Sequence, residues 1–182
     1  SLPTANAGAD QTLTCSQPSF VIGSPAIAGN TYSWSPSLGL SNASIAQPTV
    51  TAPGIYTVTV TNTATSCSAT DAVTISQNIT PPVANAGADQ TLTCAATSFV
   101  IGSAAVAGNT YAWSPSLGLS NAGIAQPTAT APGTYTVTVT NTANGCTAND
   151  AVIISQNITP PVANAGTDKT LTCATKSCVV GG

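Results

Sequence analysis

Six cysteines and five aspartates are the residues of this 182-residue chain whose chemistry could amount to a site. Cys15 and Cys67 lie 52 residues apart, and Cys94 and Cys146 repeat that spacing. There is no histidine to complete a metal set, and neither zinc-finger spacing nor a redox Cys-x-x-Cys occurs. In a secreted or surface protein the remaining use is a disulfide. Cys15 shares the parity of Leu13, an inward-facing position, which favours a partner within its own stretch of chain. Cys15–Cys67 and Cys94–Cys146 are therefore the expected pairs, each loop contributing about 4 kcal/mol by chain entropy. Cys173 is equivalent to Cys15 and Cys94, whereas Cys178 falls where Phe20 and Phe99 stand, so its pairing stays open.

The aspartates form two equivalent sets, Asp10, Asp89 and Asp168, and Asp71 with Asp150. Paired carboxylates could act as acid and base or supply part of a calcium site. Calcium needs six or more oxygens and the sequence has no acidic cluster, so an Asx-turn at a strand start is the expected role. Histidine, glutamate and arginine are all absent, which leaves a serine without a base and an oxyanion without a side-chain cation. The chain is accordingly expected not to be an enzyme, with no cofactor and no metal. Only two lysines are present, Lys169 and Lys176, so a basic nucleic-acid surface is missing. No apolar run reaches the length of a membrane span.

These residues are carried by a repeat. Ala-Asn-Ala-Gly at 5–8 recurs at 84–87 and 163–166, a period of 79 residues. Residues 3–81 and 82–160 differ at 15 of 79 aligned positions, and 161–182 opens a third copy. Low charge can mean disorder, but this chain is dense in Val, Ile and Thr, which disordered segments lack. Each copy is organised around Tyr-Thr-Val-Thr-Val-Thr-Asn, at 56–62 and 135–141, placed just after a Pro-Gly corner. Its strict alternation is that of a strand with one buried face, sending Tyr56, Val58 and Val60 inward. Further short strands are expected at 11–15, 19–22, 31–35, 45–52 and 72–75, with a breaker-rich loop at 35–42. Six or seven short strands in each copy, and no 3.6-residue apolar period, give an all-β fold of tandem β-sandwich domains. The copies are joined by Ser-Gln-Asn-Ile-Thr-Pro-Pro at 76–82 and 155–161, a short and stiff linker.

Three motifs in each copy carry a resemblance: Ala-Asn-Ala-Gly-Ala-Asp-Gln-Thr-Leu from residue 5, Tyr-x-Trp-Ser-Pro from residue 32, and Ala-Pro-Gly-x-Tyr-Thr-Val-Thr-Val-Thr-Asn from residue 52. Together they resemble the polycystic-kidney-disease (PKD) type of immunoglobulin-like domain. The nearest form is the one repeated in large surface adhesins and gliding-motility proteins of Bacteroidetes-type bacteria. The aspartate-rich Gly-Asp-Gly loop of other PKD domains is replaced here by Ser35-Pro-Ser-Leu-Gly-Leu, so nothing that rests on that loop carries over. The resemblance implies that Trp34 and Trp113 are core tryptophans, and that Tyr56 and Tyr135 sit at a strand corner. It also supplies a second disulfide topology. The first and last hairpin turns of such a sandwich lie at opposite ends, which would set Cys15 near the next domain's Cys146.

The expected function is structural: a repeat of an extracellular stalk or filament on a bacterial cell surface. Its expected partners are neighbouring repeats of the same chain, or identical chains in a fibre. The chain opens without a charged and apolar leader and stops within a repeat, so it reads as an internal piece of a longer protein. A protein- or glycan-binding module is the alternative, using loops such as 35–42, although that loop returns unchanged at 114–121. Outward threonines such as Thr57, Thr59 and Thr61 could suit ice or mineral, but threonine on an exposed strand face is ordinary β-propensity. Asn42, Asn78 and Asn157 each satisfy the N-glycosylation pattern, which composition alone produces in a chain so rich in Asn, Ser and Thr.

Overall fold

In a computed structural model that describes residues 2–180, two successive units have the same strand plan. The first contains β1 (Gln11–Thr14), β2 (Phe20–Val21), β3 (Asn30–Ser35), β4 (Thr49–Val50), β5 (Gly54–Asn62) and β6 (Ser68–Asn78). The second repeats them as β7 (Gln90–Thr93), β8 (Phe99–Val100), β9 (Asn109–Ser114), β10 (Thr128–Ala129), β11 (Gly133–Asn141) and β12 (Thr147–Asn157). In each unit a four-stranded sheet, ordered β1-β6-β5-β3 or β7-β12-β11-β9, packs on a two-stranded sheet, β2-β4 or β8-β10.

The alternating segment lies at the centre of the larger sheet, with β5 antiparallel to both β3 and β6. Tyr56, Val58 and Val60 are buried, and Val73 and Ile75 of β6 meet them in the same core. Trp34 of β3 closes the core, and its indole N–H donates to the Ile45 carbonyl at 2.9 Å. Tyr56 is buried to its ring tip, where the hydroxyl lies 3.0 Å from Ala52 O and 3.1 Å from Leu38 O. This ties the strand to the corner that precedes it, and Gly39 leaves room there: a Cβ on it would stand 2.7 Å from the hydroxyl. Trp113 and Tyr135 occupy the same places in the second unit. Phe20 and Tyr32, with Phe99 and Tyr111, pack against the cores from their edges.

Several strand limits differ from those expected. The stretch at 45–52 is a strand only at Thr49–Val50, and the Ile45 carbonyl accepts from the Trp34 indole instead of joining a ladder. Leu40, within the breaker-rich loop, makes an isolated bridge to Val50. The last strand is much longer than 72–75, since β6 pairs along its whole length with β5 and then with β1. Residues 161–180 hold no strand; the lead of the third copy keeps only local bonds such as Gly166 N–H to Asn164 Oδ1 at 2.8 Å. Positions 181 and 182 lie outside the described residues.

β1 is parallel to β6, so both run toward the same end of the unit. Thr14 pairs with Asn78, and the chain leaves for the second unit just beyond. Cys15 therefore sits at the trailing end of its unit. The turn that joins β5 to β6 sits at the leading end, a full strand away. The same directions hold for β7, β11 and β12.

Candidate functional site

The strand directions bring together the end of β1, the linker, and the turn between β11 and β12 of the following unit. There the structure forms a disulfide between Cys15 and Cys146, with Cα atoms 5.0 Å apart. The expected pairs Cys15–Cys67 and Cys94–Cys146 are not formed. Cys15 and Cys67 lie at opposite ends of β6, whose 11 residues span roughly 33 Å. A disulfide requires Cα atoms within about 7 Å. Parity correctly placed Leu13 in the core, but alternation ends at Thr14 and Cys15 is exposed rather than inward. The bond closes a loop of 131 residues, worth about 5 kcal/mol by chain entropy. Among the described residues Cys67, Cys94, Cys173 and Cys178 are unbonded.

Beside the bond lies Asn144, the one buried polar residue among those described, 1% exposed. Its amide N–H groups donate to Asn78 Oδ1 at 3.0 Å and to the Thr80 carbonyl at 2.9 Å, both contributed by the upstream unit and linker. Its Oδ1 accepts from the Cys146 N–H at 2.9 Å. The Asn144 carbonyl accepts from the Ser16 N–H at 3.2 Å, with the Ser16 hydroxyl at 3.4 Å. One side chain thus orients the cysteine and grips the linker at once. Leaving any of these buried groups unpaired would cost about 1–3 kcal/mol.

Gly145 is required by the approach. Its φ of +69° is left-handed, and a Cβ there would stand 2.6 Å from Ser16 Cβ. Side-chain carbon atoms do not come that close, so only glycine lets the turn reach Ser16.

The aspartates act differently from the expected Asx-turns. Asp71 Oδ2 accepts from the Ala7 N–H at 2.8 Å, and Asp10 Oδ1 accepts from the Thr74 N–H at 2.8 Å. Asp150 with Ala86 and Asp89 with Ile153 repeat this pair of bonds in the second unit. Each bond joins residues 64 positions apart, fastening the glycine-containing lead to the last strand. The local turns are made instead by asparagines, for example Asn6 to Gly8 and Asn42 to Ser44. Among the described residues no three Cys, Asp, Glu or His gather as a metal set, and no pocket forms. Among the described residues no helix is long and apolar enough to cross a membrane.

Sequence reasoning had no functional role for Asn144 or Gly145. A signal was available. Of the 15 differences between copies, seven fall within three residues of a cysteine, which marks the surroundings of both cysteines as the part that varies.

No family model matches the chain, and no curated protein matches it. Among solved structures it is similar to extracellular domains 3–5 of Drosophila OTK, with 15% identity and a TM-score of 0.42, over 82% of this chain and 59% of that one. It is similar also to the I67–I69 fragment of the titin I-band, with 13% identity and a TM-score of 0.42, over 82% and 62%. A third is BT4661 of Bacteroides thetaiotaomicron, a SusE-like surface located polysaccharide binding protein, with 13% identity and a TM-score of 0.38, over 82% and 33%. The chain spans about three-fifths of the length of the first two. The order of strands carries the fold assignment: the last two long strands flanked by the first and third, facing a sheet of the second and fourth. The protein is a tandem of immunoglobulin-like β-sandwich units.

Proposed function

We propose that this chain is a load-bearing segment of an extracellular stalk or filament, built from PKD-like repeats at 3–81 and 82–160 with a third beginning at 161. The observation that carries the reading is the covalent bond across the junction, Cys15–Cys146. A binding module has no need to weld its neighbour, whereas a stalk under tension does. The bond needs an oxidising compartment, which favours the outside of the cell. The low charge and the hydroxyl-rich strand faces are compatible with a passive spacer surface. The neighbouring repeat is the partner that these contacts serve.

Tension applied to the two ends would run through the lead and β1 to Cys15, cross to Cys146, and leave along β12. The 131-residue loop between them would carry no covalent extension. Pulling single molecules of the full chain by its ends tests this. Without reductant, the total extension on unfolding should be shorter by roughly 460 Å, the contour length of that loop. With reductant the missing length should return. Equal extension in both conditions would sink the load-bearing reading.

A further inference from the structure

We propose that the Cys94 edge of the second unit is the covalent docking site for a further repeat carrying an Asn-Gly-Cys turn, so that Cys15–Cys146 is one rung of a ladder. The proposal rests on the stalk reading and deepens it. The cysteine, the asparagine and the linker threonine that the upstream unit supplies to the formed junction are present again one period later, while Ala95 replaces Ser16 and keeps its backbone N–H but not its hydroxyl. Thr93 pairs with Asn157 as Thr14 pairs with Asn78, so Cys94 stands at the trailing end as Cys15 does. It is exposed, and its Sγ lies 3.8 Å from the Ile158 carbonyl, against the linker. Asn157 and Thr159 stand where Asn78 and Thr80 accept the two Asn144 N–H groups.

The kind of partner is set by the turn. The first unit's own version, Thr65-Ser66-Cys67, does not fit this edge. Ser66 has φ +57°, close to the +69° of Gly145, so its Cβ would point where a Cβ on Gly145 meets Ser16 at 2.6 Å. Ala95 stands at the Ser16 position on the Cys94 edge, and it also has a Cβ. Thr65 offers one hydroxyl proton where Asn144 offers two amide protons, leaving one linker acceptor unpaired. The docking repeat is therefore one of the second copy's kind.

A continued ladder has a mechanical consequence. Each rung joins a first cysteine to the second cysteine of the next repeat. The shortest covalent path then returns to the backbone only between one second cysteine and the following first one. From Cys67 to Cys94 that is 27 residues, which would be the whole covalent path for every two repeats. Fully extended, they span about 95 Å. Much of this stretch is already extended in the fold as β6 and β7. Such an array hardly lengthens even if its sandwiches unfold.

The bond forms by oxidation: two cysteine thiols and one glutathione disulfide give one protein disulfide and two glutathione thiols. The test replaces residues 161–182 by a further copy of 82–160, oxidises with glutathione disulfide, alkylates, and maps peptides without reduction. Cys94 should be recovered linked to the cysteine of the added Asn-Gly-Cys turn and lost from the alkylated pool. The variant Cys94→Ser should leave that added cysteine alkylated. Adding a copy of 3–81 instead should leave Cys94 alkylated, and giving that copy Thr65→Asn with Ser66→Gly should restore the link. Alkylated Cys94 beside an intact Cys15–Cys146 bond would overturn the ladder while leaving the stalk reading standing. Alkylated Cys15 in the unaltered chain would overturn both. Equal linkage by both kinds of added repeat would overturn the choice of partner.

Discussion

The turns at 62–67 and 141–146 have the same frame and opposite fates. In both, an asparagine N–H donates to the cysteine carbonyl at 2.9 Å, and its own carbonyl accepts from the residue before the cysteine at 2.8 Å. Both turns need a left-handed residue, filled by Ser66 in one and Gly145 in the other. Yet Cys146 and Asn144 are buried in a bridged junction, while Thr65 and Ser66 lie in the open and Cys67 is unbonded. A turn is thus made by its local bonds, but a junction also needs an upstream unit to meet, which among the described residues only the 141–146 turn has. Asn144 supplies the extra donors and Gly145 removes the obstructing carbon.

The comparison can be broken at several levels. The largest effects lie in what the units share: Trp34→Ala and Trp113→Ala should each cost about 3–5 kcal/mol in denaturant unfolding. Because their surroundings match, the two costs should agree within about 0.5 kcal/mol. A larger gap would mean that the junction supports one core and that the units are not independent sandwiches.

The next test separates the cysteines. Cys15→Ser should lower stability by up to about 5 kcal/mol, the chain-entropy value of the 131-residue loop, and let the two units melt as separate transitions in calorimetry. Cys67→Ser should stay within about 0.5 kcal/mol of the parent. Comparable losses from both would return Cys67 to a structural bond and undo the contrast.

Smaller still are changes within the turns. Asn144→Ala strands Asn78 Oδ1 and Thr80 O and should cost about 1–3 kcal/mol. Thr65→Ala should fall within about 0.5 kcal/mol, since Thr65 is exposed. Gly145→Ser should destabilise while Ser66→Gly stabilises, the second by about 1 kcal/mol through relief of the left-handed penalty. If the loss from Gly145→Ser in thermal melts merely equals the gain from Ser66→Gly, backbone strain alone, and not the approach to Ser16, separates the turns.

The smallest effect is a pH dependence in the first unit. Burial pushes the Tyr56 hydroxyl above its ordinary value of 10.0 by desolvating the phenolate. The folded state then holds that proton more tightly than the unfolded state does. Its contribution is complete below about pH 10 and is lost as pH rises through the folded value. Melting temperatures of Tyr56→Phe should therefore fall less than those of the parent above pH 10. Parallel curves would remove the corner hydroxyl from the account of stability.

Much of this was legible along the chain. The alternation at 56–62 marked β5, and Trp34 and Tyr56 are buried where strand parity and Ig-like resemblance directed them. The 79-residue period set two copies of one plan. Aspartate was harder to read. Its carboxylate can cap a neighbouring turn or reach a backbone N–H that is 64 residues away, and composition at the site is the same in both cases.

Periodicity and turn chemistry are properties of a few consecutive residues, so the sequence by itself determined the central strand at 56–62, its inward face and the 79-residue period. Which cysteine meets which was decided only by the tertiary structure. Parity tells the face on which a side chain lies, but it does not tell at which end of the sandwich a strand stops. That end follows from β1 running parallel to β6, a long-range pairing. It places Cys15 a strand's length from Cys67 and within 5.0 Å, Cα to Cα, of Cys146.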